Sequence, residues 1–294
     1  MNRQATLGSR LLDGVIIVLL LALVFVTLYP IYYIFIVSIS DGSAVNRGDV
    51  KWIPHDVTIE AYKIIFKNKD IWHAYGNTLQ YTIIGTAINV VLSAMCAFAL
   101  SRKDMYGRNA FIFMIAFTMF LSGGMIPTYL VIQKLGLIDT MWAIVLPPAI
   151  NTFNMIIMKT FFEGIPVSLQ ESAFLDGAND IQILLRIILP LSMPIMATMV
   201  LFYAVHHWNS FFPSLLYLNS KDMYPVQVML RNIVIAGEFA SQQGDIGSAG
   251  SSFRVVAANY KYAVIIITII PILVVYPYLQ KYFAKGVMIG ALKG

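Results

Sequence analysis

The 294-residue chain is 59% hydrophobic and only 12% charged, with a mean hydropathy of +0.74 and a net charge of +5. Soluble domains keep about a quarter of their residues charged, so this balance excludes a water-soluble globular fold and predicts an all-α polytopic membrane protein whose apolar surface is solvated by lipid. Four histidines and no long basic block argue against nucleic acid as a partner, and the single Cys96 leaves no intrachain disulfide or cysteine metal cluster to form.

A crossing helix needs about 20 apolar residues. The first run, Val15 to Ile39, follows Arg3 and Arg10 but is too long for a signal peptide and lacks a small-residue cleavage site, so it is read as a retained span. Five more stretches qualify: Thr78 to Leu100, Ala110 to Ile132, Met141 to Phe162, Leu191 to Phe212 and Ala263 to Phe283. The domain plan is an arm over 1–14, a six-span transmembrane domain over 15–283 and a tail over 284–294. Lys and Arg in short connections set orientation. Arg3 and Arg10, then Arg102, Lys103 and Arg108, then Lys281, Lys285 and Lys293 fall on one face, which is assigned to the cytoplasm together with both termini.

The loop over about 40–77 faces outward and carries "WIPHDVTIEAYKIIF", the pattern of a short helix packed on the bilayer rim. The outer loop over 213–262 includes "AGEFASQQGDIGSAGSSF", whose Gly, Ser and Gln cannot bury enough apolar area to fold alone. Asn151 and Asn154 stand beside Pro147 and Pro148, either bonding the carbonyls that proline frees or lining a polar path. His206, His207, Trp208 and Asn209 at the end of the fifth run combine hydrogen-bonding groups with an apolar ring, and either line a substrate path or serve interhelical bonds and an interface anchor. Successive helical residues point about 100° apart, so the two histidines cannot share one face.

The spans hold almost no ionisable side chains, which an ion-driven transporter needs as relays. No G-x-x-x-x-G-K-[ST] phosphate loop, H-E-x-x-H or G-x-S-x-G occurs either, so the energy must enter from another protein. One stretch looks built to receive it. In "ESAFLDGANDIQILLRIILP", residues 171–190, three carboxylates bracket a glycine between two apolar runs. Pro166 suits a helix start, Gly177 a stop, and Asn179 or Asp180 a second cap. Ile181, Leu184, Leu185 and Ile188 then make one apolar face until Pro190 ends the helix. The expected object is a helix, a tight turn and a second helix: a rigid acidic knob on the cytoplasmic side.

This string resembles the EAA loop of ABC-importer permeases, whose pattern is E-A-A, D-G-A, I-x-L-P and a further proline. The matching positions are Glu171, Ser172, Ala173, Asp176, Gly177, Ala178, Ile187, Leu189, Pro190 and Pro194, with Ser172 a small-for-small replacement. "AYGNT", "FALSRK", "SGGMIPTYL", "FNMIIMKTFFEGIP", "HWNSFFPSLLYL" and "KGVMIGALKG" extend the likeness over nearly the whole chain, toward the second permease of the maltose type and its oligosaccharide or polysaccharide-fragment branch. The resemblance implies a MetI-like type I permease of six transmembrane helices, with 163–190 as a cytoplasmic coupling loop. In that loop Glu171 pairs with a basic residue of an ATPase, Gly177 makes the turn, and Ala173 and Ala178 permit close approach. It further implies a heterodimer with a homologous permease, two ABC ATPases, a solute-binding protein and a sugar substrate, with ATP and Mg used by the ATPases and no cofactor or metal on this chain. By the same likeness Gln242, Gln243, Gly244, Gly247 and Gly250 belong to a loop that enters the binding protein's cleft, and the tail reaches the ATPase pair. The alternatives are an autonomous channel or facilitator, or a permease for a non-sugar solute.

Overall fold

The computed structural model describes residues 7–121, 123–242 and 259–277, all helix and connections. In chain order the helices are α1 (Leu7–Ser38), α2 (Gly42–Arg47), α3 (Glu60–Lys67), α4 (Lys69–Ser101), α5 (Arg108–Phe117), α6 (Met125–Lys134), α7 (Trp142–Val145), α8 (Thr152–Glu163) and α9 (Val167–Leu175). Then come α10 (Asp180–Leu191), α11 (Met193–Trp208), α12 (Phe212–Tyr217), α13 (Val226–Gln242) and α14 (Asn259–Pro277). Gln243, Gly244, Gly247, Gly250 and the tail over 284–294 lie outside the described residues. The glycine-rich segment after the fifth apolar run begins as helix, since α13 runs to Gln242.

Among the described residues α1, α4 and α14 are long and apolar enough to cross a bilayer, and α10 with α11, bent by 88°, makes a fourth if the pair is one broken span. The third and fourth apolar runs are not single helices. The third is divided into α5 and α6, with Gly124 at φ +83 on the break, a conformation open to glycine. The fourth is divided into α7 and α8 around Pro147 and Pro148, which withhold two N–H groups from the helical ladder.

The chain forms two compact units. In the first, residues 1–68 and 230–269, Ile36 and Val37 of α1 pack with Ala44 and Val50 and with Tyr33, Val45 and Tyr262. Asn259 Nδ2 donates to the Ser40 carbonyl at 2.7 Å, and the Ser40 hydroxyl donates to the Ile36 carbonyl at 2.6 Å. Asp41 caps α2 by accepting from Ser43 N, and the Ser43 hydroxyl bonding to it holds its carboxyl below the usual range. The loop expected to hold a short helix contains α3, which buries Ala61 and Ile65 on one face. By contrast Val18, Leu19, Leu20, Leu21 and Leu23 of α1 are all exposed, a surface that only lipid or protein can cover.

In the second unit, residues 69–229 and 270–294, α4 is central and packs on α8 and α11. Its core joins Ala94, Ala97, Phe98 and Leu100 to Met155, Met158 and Phe162 of α8, Ile183, Leu184 and Ile188 of α10, and Ile195, Met199 and Tyr203 of α11. In lipid, apolar burial gives no drive of its own. Small residues that let helices approach, and cross-helix hydrogen bonds worth about 0.6 kcal/mol each, supply the cohesion instead. Ser93 and Tyr203 hydroxyls bond at 2.7 Å, and the Tyr203 hydroxyl also accepts from Asn151 N at 3.3 Å. Asn89 accepts from His207 Nε2 at 2.7 Å and donates to the Pro148 carbonyl, so one amide links α4, α11 and the break before α8.

The N-terminal end of α4 grips a backbone turn. Asn77 Nδ2 donates to the Asp222 carbonyl at 2.6 Å, the Tyr81 hydroxyl donates to the Met223 carbonyl at 2.8 Å, and Val226 N donates to the Thr78 hydroxyl at 2.8 Å. Nearby Asp139, at φ 59, accepts from the Asn219 and Ser220 amides at 2.9 Å. The Ser220 hydroxyl bonding to it keeps its carboxyl below the usual range.

Candidate functional site

The knob forms as a unit. Ile165 is buried, and Pro166 sits one place before the helix as its N-cap, in extended conformation, not inside the first turn. α9 then runs from Val167 to Leu175 and ends in a Schellman turn: Ala178 N donates to the Ala173 carbonyl at 2.9 Å and Gly177 N to the Phe174 carbonyl at 3.1 Å. The turn needs Gly177 at φ +82. The two residues that close it, Ala173 and Ala178, pack on the core shared by α4, α8, α10 and α11. Asn179, of the two caps expected, starts α10: it accepts from Gln182 N at 2.9 Å while its own N–H donates to Gln182 Oε1 at 3.0 Å.

Two expectations for α10 need correction. Residues Leu184–Ile188 form a π-helical turn, which shifts the register so that Ile183, Leu184 and Ile188 are buried while Ile181 and Leu185 are exposed. Pro190 does not end the helix. The wider turn accommodates a residue without an N–H, α10 continues to Leu191, and the 88° bend falls at Ser192, with Pro194 in the first turn of α11.

α9 has no buried residue. Val167, Leu169, Phe174 and Leu175 are exposed, Leu175 by 90%, at the end of the bundle that also carries Arg102 and Lys103. Glu171, Ser172 and Asp176 are exposed, and neither Glu171 nor Asp176 has an ion pair among the described residues. Asp180 does: its Oδ1 lies 3.2 Å from Arg102, whose guanidinium also binds Asp104. That bond to Asp104 raises Arg102 above its ordinary value and holds the Asp104 carboxyl below its own. A cleft of about 710 Å³ separates α9 from the connection after α4, lined by Arg102, Lys103, Glu163, Glu171, Phe174 and Leu175 among others. Rigid turns, an inner face of small residues and an uncovered apolar outer face suit docking against another protein.

The candidate substrate residues divide. Asn151, Asn154 and His206 line one cavity of about 610 Å³ with Phe153, Tyr203 and Tyr276, and among the described residues no Asp, Glu, Lys or Arg lines it. Asn151 also caps α8, accepting from Asn154 N at 3.0 Å. His207 is buried and turned to Asn89, on a different face from His206 as helical geometry requires. Trp208 is buried, 6.2 Å from the Tyr75 ring, and so is not an interface anchor. Asn209 bonds Gln227 and the Val205 carbonyl, away from the cavity. Sequence reasoning missed Asn89, although an asparagine within an apolar run is itself a signal, and it used Arg102 and Arg108 for orientation alone.

An all-helical bundle with apolar helices of membrane-spanning length, an uncovered apolar helix at one end and a cavity lined by Asn and His side chains has the build of a transport permease. Residues 2–289 match the family described as binding-protein-dependent transport system inner membrane component, and the chain belongs to that family. It is 43% identical over 97% of its length to the polygalacturonan/rhamnogalacturonan transport system permease protein YtcP of Bacillus subtilis, covering 99% of that protein. It is 40% identical to protein LplC of the same organism, over 98% of this chain and 97% of that one. Among solved structures, a chain of a bacterial ABC transporter involved in import of the acidic polysaccharide alginate superposes with a TM-score of 0.87 at 36% identity, over 96% of this chain and 100% of that one. The protein is therefore an integral inner-membrane permease subunit of an importer that works with a binding protein.

Proposed function

We propose that the chain forms half of the pathway of an ATP-driven oligosaccharide importer, with α9 as the element that a cytoplasmic ATPase moves. The observation that carries this is α9 itself: Phe174 and Leu175 are uncovered while Ala173 and Ala178, on its other side, rest on the bundle core. Relatives named for polygalacturonan, rhamnogalacturonan and alginate support a saccharide as cargo. In the cavity, Asn151, Asn154 and His206 offer hydrogen bonds beside the rings of Phe153 and Tyr276, a mixture suited to hydroxyls and the apolar face of a sugar ring.

In the full assembly this permease pairs with a second, homologous one, two ATPase subunits and a solute-binding protein outside. ATP and Mg belong to the ATPases. Six crossings with both termini inside follow if α5 with α6, and α7 with α8, each complete one broken span. Helix breaks at that depth are tolerated where protein or a cavity satisfies the backbone, and the bond from Asn89 to the Pro148 carbonyl is of that kind.

Replacing Phe174 and Leu175 by aspartate should lower the ATPase recovered with affinity-purified permease by more than about tenfold, the size of effect expected for a central apolar anchor. Insertion should be unchanged, since neither side chain is buried within this chain. Undiminished recovery of ATPase would refute the docking role. The permease reconstituted without ATPase should conduct nothing, and a sugar flux from it would favour the autonomous channel.

A further inference from the structure

None of α9 is buried, and turns at Gly164 to Pro166 and at Asp176 to Asn179 flank it. A lever held only by two turns and the small contact of Ala173 and Ala178 with the core would swivel when pushed and leave the spans still. Both of its flanks are, however, tied to one short connection, the residues between α4 and α5. On the far flank, Arg102, the residue after α4, uses Nε and one terminal nitrogen to grip Asp104 at 3.0 and 2.9 Å. Its remaining terminal nitrogen reaches Asp180, the first residue of α10, at 3.2 Å. On the near flank, Arg108, the first residue of α5, donates through Nε to the Leu100 carbonyl at 2.8 Å and pairs with Glu163, the last residue of α8. Lys159 Nζ, at 2.9 Å, holds the same carboxylate from one turn back.

The path closes on itself: the end of α8, Glu163, Arg108, the connection, Arg102, Asp180, α10 and back through α9. Asp104 fixes the guanidinium plane, so the third contact to Asp180 is directed and not free to follow. A planar fork can serve two carboxylates in this way, whereas a lysine ammonium cannot hold both orientations. Around Glu163, 28% exposed, the Arg108 and Lys159 side chains are 22% and 13% exposed, so water and salt screen that cluster less than a free surface pair. Arg102 is 23% exposed but its partners Asp104 and Asp180 are 70% and 66% exposed, so that arm holds by its fork geometry more than by burial.

The geometry points to Arg102 and Arg108 as positioning residues that lash both flanks of α9 to the α4–α5 connection, so that displacement of α9 is carried into those helices instead of being lost at its turns. This rests on α9 being the coupling element proposed above. A stiff link carries displacement in either direction, so the ties that pass an ATPase's push outward are also a path for the binding protein's signal inward.

The test uses the complete complex in lipid, with both permeases, the ATPases and the cognate binding protein carrying its ligand, and reads ATP hydrolysis with and without binding protein. In the wild type, binding protein should raise hydrolysis above the basal rate. Arg102→Ala and Arg108→Ala should keep the ATPase bound and the basal rate, and lose the stimulation. In a Cys96→Ser background, Arg102→Cys with Asp180→Cys should also lose it and regain it when a short bis-maleimide joins the two thiols, a rescue that a role in folding alone would not give. Wild-type stimulation in both alanine variants, or no recovery on cross-linking, would overturn the lash while leaving α9 as the docking element. A wild-type complex that binding protein does not stimulate would overturn the coupling role of α9 together with it. If an alanine variant fails to assemble, the cross-linked pair decides.

Discussion

Replacing Gly177 by proline is expected to abolish ATP-driven uptake while leaving the permease in the membrane. The turn after α9 holds Gly177 at φ +82 with its N–H donated to the Phe174 carbonyl at 3.1 Å. Proline cannot reach that angle and has no N–H, so the turn must open at a cost of about 3 kcal/mol or more. Ala178 N then leaves the Ala173 carbonyl, and α9 loses its fixed angle to α10. Nothing lies within 4 Å of a Cβ added at Gly177, so a milder series isolates the backbone angle from packing. Alanine should cost about 1–2 kcal/mol and asparagine less, since its side chain bonds locally in the left-handed region. Uptake into proteoliposomes should fall in the order Gly, Asn, Ala, Pro, while the amount of inserted protein stays level. Full uptake by Gly177→Pro would show that the turn does not transmit force.

Gly85→Ala is expected to damage the bundle itself, because a Cβ there would stand 2.5 Å from His207 Cε1 and 2.7 Å from its Cδ2, closer than such atoms approach. The ring cannot yield freely: it is buried, and its Nε2 is bonded to Asn89, which also holds the Pro148 carbonyl. Overpacking costs about 1–3 kcal/mol, and a freed buried Asn89 adds a penalty of about 1–3 kcal/mol. An SDS-unfolding titration of the purified permease should register a loss of that combined order. The double variant Gly85→Ala/His207→Ala should be no less stable than His207→Ala alone, because removing the ring removes the collision. Strictly additive losses would show that the collision is relieved elsewhere.

What could be read from the sequence was local. The Schellman turn at Gly177 and the Asn179 cap each depend on a few consecutive residues, so the string 171–190 announces a helix, a turn and a second helix without knowledge of the rest. The registers and breaks were harder. A π-helical turn at Leu184–Ile188 moves the buried face by a fraction of a turn and lets Pro190 pass through the helix, and no spacing rule for ordinary helices foresees it. Gly124 and the pair Pro147 and Pro148 are visible punctuation, yet a 20-residue hydropathy window averages over them and reports one continuous run. Pairs made across the fold leave no local trace. Arg102 and Asp180 are 78 positions apart, and Asn89 and His207 are 118 apart, so only the folded bundle joins them. The grouping of His206 to Asn209 failed for a simpler reason: successive residues at a helix end point in different directions, and one of them, His206, reaches the cavity.

The transport role depends on α9 being covered by an ATPase in the working complex. Leu175→Cys in a Cys96→Ser background places one thiol at the most exposed apolar position of that helix. Its maleimide labelling should be fast in the permease pair alone and strongly suppressed when the ATPase subunits are bound. Equal labelling in both states would mean that no motor docks on α9, and would contradict the account.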